Sequence, residues 1–259
     1  EIRLSLVGSE MCIRDRAGVR YSIVNPSSYV KSNLLGFSNI LDLCQTHDVR
    51  HLVYASSSSV YGASKEYPFS EGHKVDTPLS FYAATKISNE MMAHAYSNIY
   101  KLPTTGLRFF TVYGPWGRPD MAPMIFADKI LQKKPITVFN HGKMSRDFTF
   151  ISDIIEGTFL CCLKVPTPND DYKFGNPSIL HRIFNIGNGN PVKLLYFVVL
   201  LEDALSIKAT KVFENMQPGD VESTYASTQN LEDWISYRPL VPIKEGVNKF
   251  ANWYLDYYQ

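Results

Sequence analysis

The stretch His51-Leu-Val-Tyr-Ala-Ser-Ser-Ser-Ser-Val-Tyr-Gly62 runs from a short apolar segment into four consecutive serines and a turn. Further along, Tyr82-Ala-Ala-Thr-Lys86 opens a segment with helical spacing. The apolar segment predicts a buried β-strand, which puts the serines at its carboxyl end. In open α/β sheets, ligands bind outside the carboxyl ends of the strands. The order of strand, serines, turn and helix therefore predicts an α/β fold with a site at that edge.

Tyr82 and Lys86 have the spacing that places two side chains on one face of a helix. An ammonium close to a phenol favours the phenolate and lowers the pKa of the tyrosine. A serine hydroxyl at the strand end can share the proton. Taken alone, this spacing is typical of a half-buried Tyr beside a solvated Lys, and a serine cluster is typical of a loop. The joint order of the segments favours catalysis.

Composition excludes several classes of protein. The chain has 259 residues, of which 45% are hydrophobic and 20% charged, with a net charge of +1. This profile is typical of a globular protein with one larger or two small domains, and it provides no broad basic surface for nucleic acid or membrane. The 4 cysteines have neither metal-finger spacing nor the pattern of a disulfide framework, so we predict reduced thiols and no metal site. No run reaches the roughly 18 apolar residues of a membrane-spanning helix.

Turn and helix signals divide the chain from Ala17 onward into alternating elements. Asn25-Pro26 is a typical helix start, and an apolar stripe continues to His47. A strand at 51–55, a loop at 56–80, a helix at 81–100 and a strand at 104–110 follow. Further helices are predicted at 121–133, 152–163 (capped by Ser152-Asp153), 192–205 and 244–257, and further strands at 136–139, 146–151, 182–186 and 210–213. This alternation indicates βαβ units and a parallel sheet.

Several motifs together resemble a known family. They are Tyr54-Ala-Ser-Ser-Ser-Ser-Val-Tyr-Gly62, Tyr82-Ala-Ala-Thr-Lys86, Leu107-Arg-Phe-Phe-Thr-Val-Tyr-Gly-Pro-Trp-Gly-Arg-Pro-Asp-Met121, Val138-Phe-Asn-His-Gly-Lys-Met-Ser-Arg-Asp-Phe-Thr149 and Gln217-Pro-Gly-Asp220. From Ala17 onward the chain resembles the extended short-chain dehydrogenase/reductase superfamily and, within it, the UDP-glucuronate 4-epimerases. The resemblance implies an α/β fold, with a Rossmann-like doubly wound parallel sheet whose first strands are missing and a smaller C-terminal α/β substrate-binding domain.

The resemblance also implies domain limits. Residues 17–115 form the remainder of the dinucleotide-binding domain, to which segments near 145–165 and 182–190 return, and residues 116–259 form mainly the UDP-sugar-binding domain. Residues 1–16 fit neither domain and are interpreted as an unrelated leader. This family opens with a strand, a Gly-rich turn and a helix that hold the pyrophosphate, and Gly8 and Gly18 do not form that pattern.

We therefore expect the chain to lack on the order of 80 N-terminal residues, because each βαβ unit takes roughly 30 residues or more. We also expect this truncated form to be inactive or unstable, since NAD affinity depends on the pyrophosphate cradle. Tight binding of NAD⁺ by the chain would refute the expected inactivity.

The resemblance assigns catalytic and cofactor-binding residues. Ser57, Tyr82 and Lys86 are the catalytic residues, with Tyr82 as the base, and NAD is the cofactor. Residues expected at the cofactor are Asn33, Tyr82, Lys86, Phe109 and Val112. Side chains alternate between the two faces of a strand, so at least one of Phe109 and Phe110 is expected in the core.

The same resemblance assigns the UDP-sugar site. The residues expected there are Ser58, Ser59 and Thr111 at the uronate carboxylate, and Arg118, Asn140, Arg146 and Asp220 in the remainder of the site. Each has an ordinary alternative. Arg118 and Arg146 each stand near an aspartate in the sequence and can pair with it, and Asn140-His141-Gly142 is also the pattern of a turn.

The implied reaction is NAD-dependent epimerisation at C4 of a UDP-sugar, from UDP-glucuronate to UDP-galacturonate through a 4-keto intermediate. Dehydratases and decarboxylases of the superfamily carry an acidic residue just after the Ser/Thr position, whereas Ser58 and Ser59 follow Ser57 here, which favours epimerisation. The alternatives are a UDP-glucose 4-epimerase, another nucleotide-sugar epimerase or dehydratase, or a non-catalytic nucleotide-sugar-binding fragment.

Expectations about partners follow from the same resemblance. The partner is a UDP-sugar and not nucleic acid. The helices that start near Asn25 and Phe81 are expected to form the seam of a homodimer, and the alternative is that their outer faces are solvated. We expect a cytoplasmic location, with a lost N-terminal anchor as the alternative.

Overall fold

The computed structural model describes residues 17–170, 172–176 and 178–258, so the predicted leader lies outside the described residues. The chain divides into two compact units. Unit 1 holds the described residues up to Glu66, together with Glu71–Phe109 and Thr158–Asn185, and unit 2 holds Tyr67–Ser70, Phe110–Gly157 and the chain from Ile186 onward. Among the helices of these residues, none combines the length and the apolar character that crossing a bilayer requires.

The strands are β1 Leu52–Ser57, β2 Thr104–Phe109, β3 Thr111–Tyr113, β4 Ile136–Val138, β5 Ser145–Phe150, β6 His181–Ile186, β7 Pro191–Lys193 and β8 Lys211–Phe213. The α-helices are α1 Val19–Val24, α2 Pro26–Tyr29, α3 Gly36–Thr46, α4 Phe81–Tyr100, α5 Ala122–Leu131, α6 Ile151–Leu163, α7 Leu194–Leu205, α8 Gln229–Ile235 and α9 Ile243–Tyr258. A π-helical segment lies at Val30–Leu35, and 3₁₀ turns lie at Ser58–Tyr61 and Phe139–Gly142.

Unit 1 is built on a sheet with the strand order β1-β2-β6. β1 and β2 are parallel, with register from Leu52 opposite Thr104 to Ser57 opposite Phe109. The apolar positions of these strands and of α3 and α4 form one core, whose buried members are Leu41, Cys44, Tyr54, Ala93, Leu102 and Ile183. The predicted strand is confirmed, and β1 continues past Ala55 to Ser57 because β2 offers hydrogen-bonding partners along its whole length.

The predicted helix start at Asn25-Pro26 is confirmed in its local chemistry. The Asn25 side chain accepts a hydrogen bond from Ser28 N at 3.3 Å, and Pro26 takes the first helical position. The helix then differs from an ideal one, because the π-helical turn at Val30–Leu35 separates α2 from α3. Such turns insert one extra residue and often accompany functional sites. The short helix α1 before Asn25 was not predicted.

Unit 2 contains short strands rather than one wide sheet. β3 pairs in parallel with β5, β5 pairs antiparallel with β7, and β4 pairs in parallel with β8. Its core is rich in aromatic residues; for example, the Phe148 and Phe197 rings stack with centroids 4.5 Å apart. The amphipathic C-terminal helix predicted at 244–257 is confirmed as α9, which buries Val247, Phe250 and Tyr254.

Two predicted helix starts are wrong. The helix predicted from Val192 begins at Leu194, because Pro191–Lys193 instead forms β7 and supplies backbone partners to β5. The helix predicted to be capped by Ser152-Asp153 begins at Ile151, directly after β5. The Asp153 carboxylate instead accepts hydrogen bonds from Leu240 N at 3.1 Å and Val241 N at 2.9 Å, and so holds a distant loop.

Close packing at Gly106 in β2 leads to a stability prediction. A Cβ atom there would lie 2.6 Å from Tyr54 Oη and 2.7 Å from Ile183 Cδ1, inside the core of unit 1. We therefore expect Gly106→Ala to lower the free energy of unfolding by about 1–3 kcal/mol, as overpacking of a rigid core does. Urea denaturation followed by circular dichroism measures the change.

Gly36→Ala is the matched control. Gly36 has helical backbone angles, φ −59° and ψ −41°, and the nearest atom to an added Cβ is 3.6 Å away. Alanine there restricts the unfolded chain without a clash, so this variant should be unchanged or more stable by about 0.4–1 kcal/mol. Equal destabilisation by both substitutions would contradict the packing described for Gly106.

Candidate active site

Tyr82 and Lys86 lie on one face of the first turns of α4. This helix begins at Phe81, and the Ser80 side chain caps it by accepting a hydrogen bond from Ala83 N at 3.1 Å. Tyr82 is buried, Lys86 is half-buried, and Lys86 Nζ lies 6.0 Å from the centre of the Tyr82 ring. The ammonium is therefore close enough to favour the phenolate form of the tyrosine.

Lys86 is held against the carboxyl end of β1. Its Nζ donates a hydrogen bond to Ala55 O at 2.9 Å, two residues before the candidate catalytic Ser57. Burial lowers the pKa of Lys86 to about 8, while the negative charge of Glu90 acts in the opposite direction. The lysine therefore keeps its proton at neutral pH and can lose it slightly above.

Within the serine cluster, the backbone passes from β-strand to 3₁₀ turn at Ser57. This residue ends β1, is buried, and its hydroxyl accepts a hydrogen bond from Ser59 N at 3.2 Å, which starts the 3₁₀ turn Ser58–Tyr61. Ser58 and Ser59 are half-buried within that turn. Their hydroxyls thus lie at the carboxyl end of β1, the position at which parallel sheets bind ligands.

Asn33 lies in the π-helical segment and contacts α4 directly. Its Nδ2 donates to Thr85 Oγ1 at 3.0 Å, and its carbonyl accepts from Asn89 Nδ2 at 2.6 Å. Thr85 in turn donates to Tyr82 O at 2.8 Å. The structure therefore brings Asn33 together with the helix of Tyr82. The predicted contact of Asn33 with the cofactor stays a prediction.

The remaining cofactor candidates, Phe109 and Val112, and the uronate candidate Thr111 stand at or just after the end of β2 in the sequence. Phe109 ends β2 in unit 1 and is half-buried, whereas Phe110 is buried and its ring centroid is 6.4 Å from that of Phe69 in unit 2. The alternation of faces thus puts Phe110 in a core. Thr111 and Val112 are half-buried residues of β3.

Two arginines of unit 2 differ in how they are paired. Arg118 forms a fork with Asp120, with Nε to Oδ1 at 2.9 Å and Nη2 to Oδ2 at 2.7 Å, which is the ordinary alternative. Arg146 Nη1 instead donates to the carbonyls of Ser145 at 2.9 Å and Glu222 at 3.1 Å. Burial lowers the pKa of Arg146, and the nearby Asp220 carboxylate raises it.

Arg146 therefore carries a positive charge that is taken out of water and hydrogen-bonded to neutral carbonyls. The ordinary alternative for Arg146, a pair with the adjacent Asp147, is not adopted, because the Asp147 carboxylate is bonded to backbone groups elsewhere. That carboxylate accepts from Asn188 N at 2.8 Å, Gly189 N at 3.0 Å and Ala226 N at 2.9 Å. An incompletely neutralised arginine of this kind suits an anionic ligand such as a diphosphate.

Asn140 is part of a turn, as the ordinary alternative for this residue expected. Its Nδ2 donates to Lys143 O at 2.9 Å within the 3₁₀ turn Phe139–Gly142, and its φ of 50° is left-handed. This side chain stabilises its own turn, so a role in substrate binding stays a prediction. Among the described residues, no group of three or more His, Cys, Asp or Glu side chains is arranged to hold a metal ion.

Three residues at this site were missed from the sequence. They are Ser56, Glu90 and Arg108, all buried and joined by hydrogen bonds. Glu90 stands four residues after Lys86, which extends the face of Tyr82 and Lys86 by one more turn. The spacing of Lys86 and Glu90 could have been recognised in the sequence. The pairing of Glu90 with Arg108 on β2 could not.

The geometry of unit 1 defines the class of site. A buried phenol, a half-buried ammonium and a serine hydroxyl lie on a helix and a strand end of a parallel α/β sheet, the arrangement of a short-chain dehydrogenase/reductase. These donors suit a nicotinamide nucleotide, because the ammonium and a hydroxyl would bind its ribose and the phenol would exchange a proton with the substrate.

Comparison with known proteins supports this class. Residues 11–187 match the NAD dependent epimerase/dehydratase family. Protein CapI of Staphylococcus aureus is 50% identical over 249 residues, covering 94% of this chain and 75% of that protein. A probable UDP-glucuronate 4-epimerase of Rhizobium meliloti is 44% identical over 247 residues, covering 92% of this chain and 72% of that protein.

A crystal structure of UDP-glucuronic acid 4-epimerase from Bacillus cereus, in complex with UDP-glucuronic acid and NAD, matches with a TM-score of 0.82 and 32% identity, covering 92% of this chain and 72% of that chain. The chain therefore belongs to the NAD dependent epimerase/dehydratase family. The predicted family, the Rossmann-like α/β fold and NAD as cofactor are confirmed.

The environment of Lys86 leads to a pH prediction. Amines react with acetic anhydride only when they are unprotonated, so the labelling rate of Lys86 should reach half of its maximum near pH 8, where its pKa lies. Peptide mass spectrometry after brief labelling at a series of pH values measures the midpoint. Lys249 on α9, whose side chain is exposed and 2.7 Å from Glu245, is the internal reference. Labelling of Lys86 that still rises above about pH 10 would contradict its desolvation.

Proposed function

We propose that this protein is an NAD-dependent 4-epimerase of a UDP-sugar, with UDP-glucuronate as substrate and UDP-galacturonate as product. The observation that carries the proposal is the Tyr82–Lys86 pair held at the carboxyl end of β1. The substrate is supported by the Rhizobium meliloti relative, which is a probable UDP-glucuronate 4-epimerase, and by the Bacillus cereus enzyme with UDP-glucuronic acid bound.

Tyr82 is proposed to act as the base. Its phenolate removes the proton from the sugar 4-hydroxyl and returns it after the sugar has turned over. Lys86 stabilises the phenolate through its positive charge, and the Ser57 hydroxyl shares the proton at the same oxygen. When bound, NAD would supply the redox chemistry of the reaction, as acceptor and then donor of the hydride at C4. Tyr82, Lys86 and Ser57 thus account for the movement of the proton on both passes.

The arginines of unit 2 are proposed to bind the diphosphate. Arg146 is desolvated and bonded to neutral carbonyls, so a phosphate oxygen would complete the neutralisation of its charge. Arg118 is exposed and would exchange the Asp120 carboxylate for a phosphate at little cost, since exposed ion pairs contribute about 0–1 kcal/mol. A tight hold on the diphosphate leaves the sugar itself able to rotate.

Ser58 and Ser59 are proposed to hold the uronate carboxylate. A 4-keto uronate is a β-keto acid and can lose CO₂, and neutral hydroxyl donors restrain the carboxylate without adding negative charge. An acidic residue at these positions would repel it. The sequence Ser57-Ser58-Ser59 is therefore consistent with epimerisation rather than decarboxylation.

The catalytic role of Tyr82 is tested with Tyr82→Phe. We expect turnover of UDP-glucuronate to fall by roughly 10²–10⁴-fold, the usual contribution of a general base, while UDP binding stays within about twofold. Chromatography of the nucleotide sugars measures turnover, and isothermal titration measures UDP binding. The assay uses the chain joined to the N-terminal segment of the Staphylococcus aureus relative, of which this chain covers 75%.

The chain as given is assayed beside it. Equal activity of the Tyr82→Phe variant and its parent would refute the role of Tyr82 as base. Exclusive turnover of UDP-glucose would instead refute the uronate as substrate and leave Tyr82 as the base of a different epimerase.

A homodimer through α3 and α4 is also proposed. Both helices carry large apolar side chains on their outer surface, with Leu43 53% exposed, Met91 56% and Ile99 65%. Charged residues at Met91 and Ile99 would stand in an apolar seam, so M91E/I99E should sediment as a monomer while the parent sediments as a dimer. Val212→Glu is the control, because it also replaces an exposed apolar residue by a charged one, but on β8 and outside both helices. A parent that is monomeric at micromolar concentration would contradict this interface.

A further inference from the structure

A buried ion pair lies one helical turn beyond Lys86. Arg108 Nε donates to Glu90 Oε1 at 2.9 Å, and Arg108 Nη2 donates to Glu90 Oε2 at 2.8 Å. Arg108 is 3% exposed and Glu90 is 1% exposed. This two-pronged geometry joins the middle of α4 to β2 with more directional precision than a single contact can provide.

The same helix face is also bonded to β1. Ser56 Oγ donates to Glu90 Oε1 at 2.6 Å, and Lys86 Nζ donates to Ala55 O at 2.9 Å. Consecutive residues of β1 are thus bonded to consecutive turns of α4. Ser57, the candidate catalytic serine, is the next residue of that strand, so these two bonds hold the end of the strand against the helix that carries Tyr82.

Arg108 has a third partner on the far side of the pair. Its Nη1 donates to Tyr61 Oη at 3.0 Å, and Tyr61 Oη donates to Asn185 Oδ1 at 2.6 Å. The guanidinium also lies 4.9 Å from the centre of the Tyr61 ring. A connected network of this kind rigidifies its members, because moving one of them would break the bonds of the others.

Stability alone does not explain this pair. Taking two charges out of water is costly, and buried ion pairs can often be replaced by apolar residues of similar volume with no loss of stability. The pair instead stands where position matters, one helical turn beyond Lys86 and beside Ser56 near the end of β1.

We propose that Glu90 and Arg108 are positioning residues for Tyr82 and Lys86, and that the Glu90 carboxylate supplies the negative charge that the Lys86 ammonium faces. This inference rests on the proposed function, in which the positive charge of Lys86 stabilises the phenolate of Tyr82. Neither residue touches substrate or cofactor in this role. Both act through Lys86.

The other ionisable groups around the pair do not compete for this role. Burial and the Glu90 charge raise the pKa of Tyr54, and burial raises that of Tyr61 despite Arg108, so both are neutral at physiological pH. Tyr82 lies on the same helix face as Lys86. The Glu71 carboxylate also acts on Tyr61. The negative charge that acts on Lys86 is that of Glu90, so removal of Glu90 leaves the ammonium without it.

Competitive acetylation of Lys86 in the full chain tests the inference without turnover. In Glu90→Gln, we expect the pH of half-maximal labelling to fall by about one unit, a roughly tenfold change in the ratio of ammonium to amine. The double variant E90Q/R108M removes both buried charges. It should show a fall in the same direction, smaller than that of Glu90→Gln because the Arg108 cation is also removed, with a denaturation midpoint close to that of the parent.

Glu245→Gln is the matched control, because it removes the partner of an exposed lysine, Lys249, at the mirrored helical spacing. It should leave the midpoint of Lys86 unchanged. A folded E90Q/R108M protein whose Lys86 midpoint equals that of the parent would overturn the inference, and so would failure of the double variant to fold, since the pair would then serve folding.

The outcome separates this inference from the proposed function. If the midpoint of Lys86 shifts as expected while Tyr82→Phe turns over UDP-glucuronate as fast as its parent, the positioning geometry stands and the base assignment fails. If Tyr82→Phe is inactive and the midpoint of Lys86 does not respond to Glu90, the epimerase stands without these positioning residues.

Discussion

The hydrogen bond from Lys86 Nζ to Ala55 O is the contact on which the proposed chemistry depends. It places an ammonium at the end of β1, beside the buried ring of Tyr82 and two residues from Ser57. Together with the bond from Ser56 Oγ to Glu90 Oε1, it holds the end of the strand at a defined distance from the helix. The catalytic groups come from segments separated by a long loop, so this contact turns a sequence pattern into a site.

Both units keep positive charges in places where water is partly excluded. Burial lowers the pKa of Lys86 and of Arg146, which means that desolvation of each positive charge destabilises the folded protein. The folded Lys86 releases its proton at a lower pH than the unfolded chain does. Between about pH 8 and the ordinary lysine pKa the unfolded state therefore binds more protons, and this group makes the protein more stable as pH rises. At neutral pH it is a cost that an anionic partner, phenolate or carboxylate, would relieve.

Apolar spacing and capping residues predicted the helices and strands well where these patterns were pronounced. The boundaries of α4, the strand at Leu52 and the cap at Asn25 follow from apolar spacing and capping residues within a few positions. The errors at Val192 and Ser152 have a common cause. In both cases residues with good helical or capping chemistry were recruited by a partner elsewhere, β5 for Pro191–Lys193 and the 240–241 backbone for Asp153.

The sequence by itself determined the family, the helix that carries Tyr82 and Lys86, and the serines at the strand end, because each depends on spacing within one short segment. Only the tertiary structure decided which charges face one another. Glu90 and Arg108 are 18 residues apart in the chain, and Arg146 avoids the adjacent Asp147. Such contacts depend on which helix packs on which strand and on which loops approach one another, and the spacing of residues within one segment does not encode that.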